Sequence, residues 1–150
     1  MDLSLLKWTK NVKREDGDWA YSRYKVYDLF KLAWKDSEQN AGKPEKDDLI
    51  LLRQHGYVTH LVRVLDYKPE HEDWKGDYNI YRIVEVSWAI DFVTPPKSAK
   101  ADKIFDYSEV LSYQGGNIMK LEELPTFKDR WDKDGGLEAF QTHIQSLLEL

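Results

Sequence analysis

Aromatic and basic side chains alternate densely in the first part of the chain. Trp8, Trp19, Tyr21, Tyr24, Tyr27 and Trp34 fall among Lys7, Lys10, Lys13, Arg14, Arg23, Lys25, Lys31 and Lys35. Flat rings stack on bases while ammonium and guanidinium groups meet phosphates, so this interleaving suits nucleic acid. It also describes a solvated surface over an aromatic core, because Trp and Tyr bury large areas and keep a polar handle. The net charge of −5 argues against a dedicated nucleic-acid binder, but its distribution is uneven. Residues 1–35 carry eight cationic and five acidic side chains, which leaves −8 on the remainder. A basic lobe on an acidic body can hold phosphates along that lobe.

Other chemistries find less support. The absence of cysteine excludes disulfides, Cys-based zinc sites and thiol catalysis. There is no GxGxxG or GxxxxGK[ST] loop, no HExxH and no GxSxG. His55, His60, His71 and His143 are scattered; His71 lies beside Glu70 and Glu72, a pattern open to hydrolysis but specifying nothing. Glu85 and Asp91 sit six residues apart on one strand, about 20 Å, too far for joint acid–base work. The expectation is a non-enzymatic domain with no catalytic residue, no metal and no cofactor.

These residues need a scaffold, and 150 residues supply one domain. The apolar patch at residues 3–6 is shorter than a signal-peptide core, and no run approaches membrane-spanning length, so a soluble cytoplasmic protein with no membrane partner is expected. A short strand is expected near residues 5–8. Val26, Leu29, Phe30, Ala33 and Trp34 recur at helical spacing, which predicts a helix capped by Asp28 and stopped by Asn40-Ala41-Gly42. Residues 48–66, DLILLRQHGYVTHLVRVLD, read as a β-hairpin turning at His55-Gly56. Its first arm is apolar on both faces, and in the second Val58, His60, Val62 and Val64 share a face. His60, among valines, reads as a satisfied buried histidine rather than a base. Trp74 stands alone in the charged loop 66–77, where it either folds back over a barrel rim or contacts a ligand.

Residues 81–92, YRIVEVSWAIDF, form a long strand with Val84, Val86, Trp88, Ile90 and Phe92 on one face. A helical turn at 108–112 and a closing strand at 118–121 follow. A segment around 127–131 then precedes a last helix striped with Leu137, Phe140, Ile144, Leu147 and Leu148. That stripe either packs on the domain or marks a longer protein of which this is the N-terminal part.

The order of strand, Trp-rich loop, helix, hairpin KDDLILLRQHGYVTHLVRVLD and long strand RIVEVSWAIDF resembles the PUA-like superfamily, especially its EVE, YTH and ASCH branches. Lys46-Asp47-Asp48-Leu49-Ile50-Leu51-Leu52 stands in for the family's GD.V.LY strand, with Asp47 at the usual Gly, and residues 57–64 for its partner. The resemblance covers roughly residues 5–121 and implies an α+β fold, a small bent, mostly antiparallel β-barrel ringed by helices. It also implies a modified-base reader, in which a flipped base enters an aromatic pocket. Trp19, Tyr21, Trp34 and Trp74 are then the candidate walls, and Lys10, Asn11, Lys13, Arg14 and Arg23 the groups meeting phosphate or base edges. The partner would be DNA or RNA. The alternative is a protein-interaction or sensory domain whose aromatic surface meets a protein; an uncatalogued hydrolase is the third reading.

Overall fold

The computed structural model describes residues 1–74 and 76–150. Its centre is the hairpin of β3 (Leu49–Gln54) and β4 (Tyr57–Val64), joined at His55 (φ 52°) and Gly56 (φ 79°). Positive φ at both central positions is the turn whose twist matches paired strands. All six β3 residues are buried, as expected of an arm apolar on both faces. On one side β3 runs parallel to β1 (Leu6–Asn11). On the other, β4 pairs antiparallel with the long strand β6 (Ile80–Ala89).

Two irregularities reset the alternation. Leu52 faces His60 while Arg53 faces Val58, so Thr59 is the extra residue, and Val58 joins Leu61 on the face opposite Val62 and Val64. Likewise Leu61 faces Trp88 while Val62 faces Val86, so Ser87 is extra. Trp88 is thereby turned away from Val62, Val64 and Val86 and lies half-buried against the opposite core. The continuous face expected for β6 holds only as far as Val86.

The helix expected over residues 28–40 is instead β2 (Leu29–Trp34), paired with β6 from Leu29↔Glu85 to Trp34↔Ile80. Phe30, Leu32 and Trp34 satisfy a two-residue period as well as a helical one, and pairing to β6 decides between them. Leu29 and Val26, core positions of the helical reading, are more than two-fifths exposed. Asp28 caps no helix; its carboxylate accepts the Lys25 N–H within a turn. Only α1 (Glu38–Ala41) is helical here, capped by Ser37.

A two-residue β5 (Glu70–His71) adds to β6, and β7 (Met119–Lys120) pairs antiparallel with β1, within the expected closing strand. The result is an α+β domain with a seven-stranded, mostly antiparallel sheet in the order β2-β6-β4-β3-β1-β7. It does not close into the expected barrel, because β2 and β7 are not paired. It curls nonetheless. Trp8 of β1 and Trp34 of β2 share one core with Ile50, Leu52, Val62, Val64, Val84 and Val86.

Asn40 bridges the gap between the sheet ends. Its Oδ1 accepts from Trp34 Nε1 at 2.8 Å and from Ile118 N at 2.7 Å, and its Nδ2 donates to Ile118 O at 3.1 Å. The side-chain amide thus supplies one rung that a strand would have made. Asn40→Ala should destabilise the domain by about 1–3 kcal/mol through the buried donors left unpaired. Urea unfolding measures this, and an unchanged midpoint would show that the bridge carries no load.

The other face is covered by α2 (Ala101–Phe105), α3 (Pro125–Trp131) and α4 (Gly136–Leu147). Phe105, Phe127, Trp131, Phe140 and Ile144 pack there on Leu6, Leu49, Leu51 and Leu61. The α4 stripe therefore buries on the domain, except Leu147, which is 43% exposed. Residues 108–112 form the expected helical turn as a 3₁₀ segment. Among the described residues no helix is long and apolar enough to cross a membrane.

Candidate functional site: a basic aromatic cavity on the open side of the sheet

The loop from Val12 to Asp28 folds across the open side of the curled sheet. Gln54, ending β3, fixes it from both directions: Oε1 accepts from Ala20 N at 2.8 Å and Nε2 donates to Asp18 O at 2.9 Å. Tyr21 follows at φ 58°, stacks on Phe30 at 4.3 Å and accepts the Ala33 N–H of edge strand β2 at 3.1 Å. Between this loop, β1, β2 and the loop containing Trp74 lies a cavity of about 670 Å³.

Lys10, Asn11, Lys13, Arg14, Tyr21, Arg23 and Trp74 all line it, so the first segment and the loop containing Trp74 border one cavity. Trp34 does not. It is fully buried beneath the floor, with Lys10 Nζ 4.8 Å above its ring. Trp19 is also elsewhere: it packs edge-on against His55 (5.0 Å), Tyr57 (6.0 Å) and Phe92 (5.5 Å) at the hairpin tip. Trp74 leans on Tyr81 at 5.7 Å and borders the cavity.

Tyr24, Lys31 and Tyr78 also line it without having been among the candidates. Tyr24 and Lys31 were legible, since both belong to the interleaved aromatic and basic segment. Tyr78 carried no such signal, because only the antiparallel return of β6 along β2 brings its loop here.

Five cationic side chains, Lys10, Lys13, Arg14, Arg23 and Lys31, meet two acidic ones, Glu15 and Asp77. Several are partly engaged: Arg14 with Asp16 at 2.6 Å, Lys31 with Glu72 at 2.6 Å, and Arg23 over the Tyr24 ring at 4.9 Å. Lys10 differs. It is 1% exposed, donates to the Gly116 carbonyl, and takes part in no ion pair among the described residues. Burial, reinforced by Lys13 and Arg53 nearby, lowers its pKa to about 7. Tyr21 is pushed up to about 12 by burial, which keeps its hydroxyl protonated. That hydroxyl accepts from Ala33, so its own proton is available to an acceptor.

All four histidines are hydrogen-bonded. His60 is fully buried; its Nε2 donates to Tyr21 O at 3.1 Å and its Nδ1 accepts from Thr59 Oγ1 at 2.8 Å, a tautomer fixed by the carbonyl. Desolvation lowers its pKa to about 4 and keeps it neutral. His71 pairs with Glu38 at 3.0 Å on the surface, and Glu85 with Arg63 at 3.3 Å. Among the described residues no three His, Asp or Glu side chains converge as metal ligands.

No protein-family model, curated protein or solved structure matches this chain.

Proposed function

We propose that this domain binds single-stranded nucleic acid and takes one base into the cavity between Tyr21, Tyr24, Trp74 and Tyr78. The observation that carries this reading is Lys10: an amine buried without a carboxylate to offset its charge, at the floor of a cavity whose rim is cationic and whose walls are aromatic. Burying an uncompensated charge costs several kcal/mol, and an acceptor-rich ligand relieves that cost. A volume of about 670 Å³ lies within the ~300–1,000 Å³ span of small-molecule pockets. Stacking at roughly 1–3 kcal/mol per base offsets the unstacking of the base that enters.

A PUA-like fold, and with it a preference for a modified base, belongs to the same proposal. It is supported by the hairpin followed by the long strand β6, by the curled mixed sheet with a ligand-sized opening, and by Asp47. That residue replaces the family's usual Gly and has φ 77°, a conformation Gly adopts at no steric cost.

Fluorescence anisotropy with single- and double-stranded DNA and RNA, with and without modified bases, tests the reading. Tyr24→Ala and Trp74→Ala should each weaken binding of single strands by about 1–3 kcal/mol and leave the salt slope unchanged. Lys13→Ala should instead weaken binding across all sequences and reduce the log–log salt slope by about one. Failure of the wild-type protein to bind any of these at moderate salt would overturn the reading in favour of the protein-interaction alternative.

A further inference from the structure

We propose that a second, smaller cavity beside the base pocket is a phosphate subsite governed by Arg53, filled by the backbone phosphate adjoining the nucleotide held in the larger cavity; this rests on the nucleic-acid reading above. The cavity measures about 210 Å³, and Asn11, Val12 and Lys13 line it and the larger one alike. A chain leaving the base pocket over Lys13 therefore meets it next.

Its charged lining is of one sign. Arg53 joins Lys13 as its second cation, beside the neutral polar groups of Gln54, Tyr113 and Gln114, and no Asp or Glu lies in the lining among the described residues. In a chain with 27 acidic side chains and a net charge of −5, that exclusion is a property of the site. Arg53 is 4% exposed. Its Nε donates to Thr9 Oγ1 at 2.8 Å and its Nη1 to Tyr113 O at 2.7 Å, while Nη2 is buried with no partner. No carboxylate pairs with it among the described residues.

The guanidinium is thus held rigidly by neutral acceptors, with its charge uncompensated and one nitrogen unsatisfied. Such a group costs stability unless an anion completes it, and a phosphate matches guanidinium in both charge and acceptor geometry. Lys13, on the ridge between the cavities and without an ion pair of its own among the described residues, supplies the contact at the entrance.

A scan of neutral methylphosphonate linkages through a single-stranded oligonucleotide tests the subsite. One position should weaken binding roughly ten- to hundredfold, the loss of one charge-assisted contact, with its neighbours smaller. That penalty should shrink in Arg53→Lys, checked for folding by its melting profile, and in the surface variant Lys13→Gln, which leaves the core untouched. Amide shifts of Gly56, Leu111 and Gln114 in the labelled wild-type protein should move on adding the parent oligonucleotide. A parent that binds with an even penalty at every linkage and no shifts at these amides would overturn the subsite and spare the base pocket. A parent that does not bind at all would overturn both.

Discussion

Replacing Arg82 with Ala should destabilise the domain by about 3–5 kcal/mol, the cost of breaking a buried ion pair from one side. Arg82 is fully buried on β6 and joins three segments. Its Nε donates to Asp66 Oδ1 at 2.7 Å and Nη2 to Asp66 O at 3.0 Å, while Nη1 donates to Ala41 O at 2.9 Å and Pro44 O at 2.7 Å. These bonds tie the exits of α1 and β4 to the strand that carries β2, and hence one wall of the cavity. Removing the guanidinium leaves Asp66 Oδ1 and three carbonyls, those of Ala41, Pro44 and Asp66, without their donor. Arg82→Lys should recover little, because one ammonium cannot reproduce a planar fork spread over four acceptors. Urea denaturation measures both variants, and a loss below about 1 kcal/mol for Arg82→Ala would mean that the ion pair behaves as a surface one.

The second large effect is a pH dependence centred on Lys10. Its folded pKa, about 7, lies below the 10.5 of a free lysine, so between these values the unfolded chain binds more protons than the folded one. Stability should therefore rise with pH across that window, by roughly 4–5 kcal/mol at 1.36 kcal/mol per pH unit, and be lowest where the buried amine is charged, below pH 7. Lys10→Met keeps the stem and removes the charge, so it should be more stable than wild type near pH 6 and lose that slope. Subtracting the two pH profiles isolates Lys10 from other titrating groups; superimposable profiles would contradict the assignment. A phosphate-bearing ligand favours the charged amine, so affinity should fall as pH rises from 7 to 9 in wild type and not in Lys10→Met.

Much of the scaffold was legible because two signals were unambiguous. His55-Gly56 could make only a tight turn between apolar runs, and the alternation of β6 had no competing helical period up to Val86. Where two periods coincide, sequence cannot choose: Phe30, Leu32 and Trp34 alternate, Phe30 and Trp34 are also four apart, and only pairing with β6 makes the segment a strand. The face of Trp88 was hidden for another reason, since a single extra residue, Ser87, turns it over without leaving a compositional mark. Failure to close the barrel was equally invisible, because it depends on whether β2 meets β7 or a side chain, Asn40, stands between them.

The site followed the same logic. Clustering of Lys10, Lys13, Arg14, Tyr21 and Arg23 in one segment marked the cavity. Whether a particular aromatic residue became wall, floor or packing was decided by the strand face it fell on, for Trp34, and by how its loop was anchored, for the others. Trp34 points into the core, Trp19 is captured by the hairpin tip, and Tyr24 takes the place the sequence reading assigned to them. Arg53 gave no signal at all, being one cation in an apolar strand whose lack of a carboxylate partner appears only in three dimensions.

The most direct test of the central claim is photo-crosslinking of the wild-type protein to a single-stranded oligonucleotide carrying 5-bromouracil at successive positions, with the attached peptides identified by mass spectrometry. The account predicts one strongly crosslinking position, attached to Tyr21, Tyr24, Trp74 or Tyr78 and suppressed by competing unlabelled single strand. Crosslinks confined to the helical face of α3 and α4, or none above background, would contradict it.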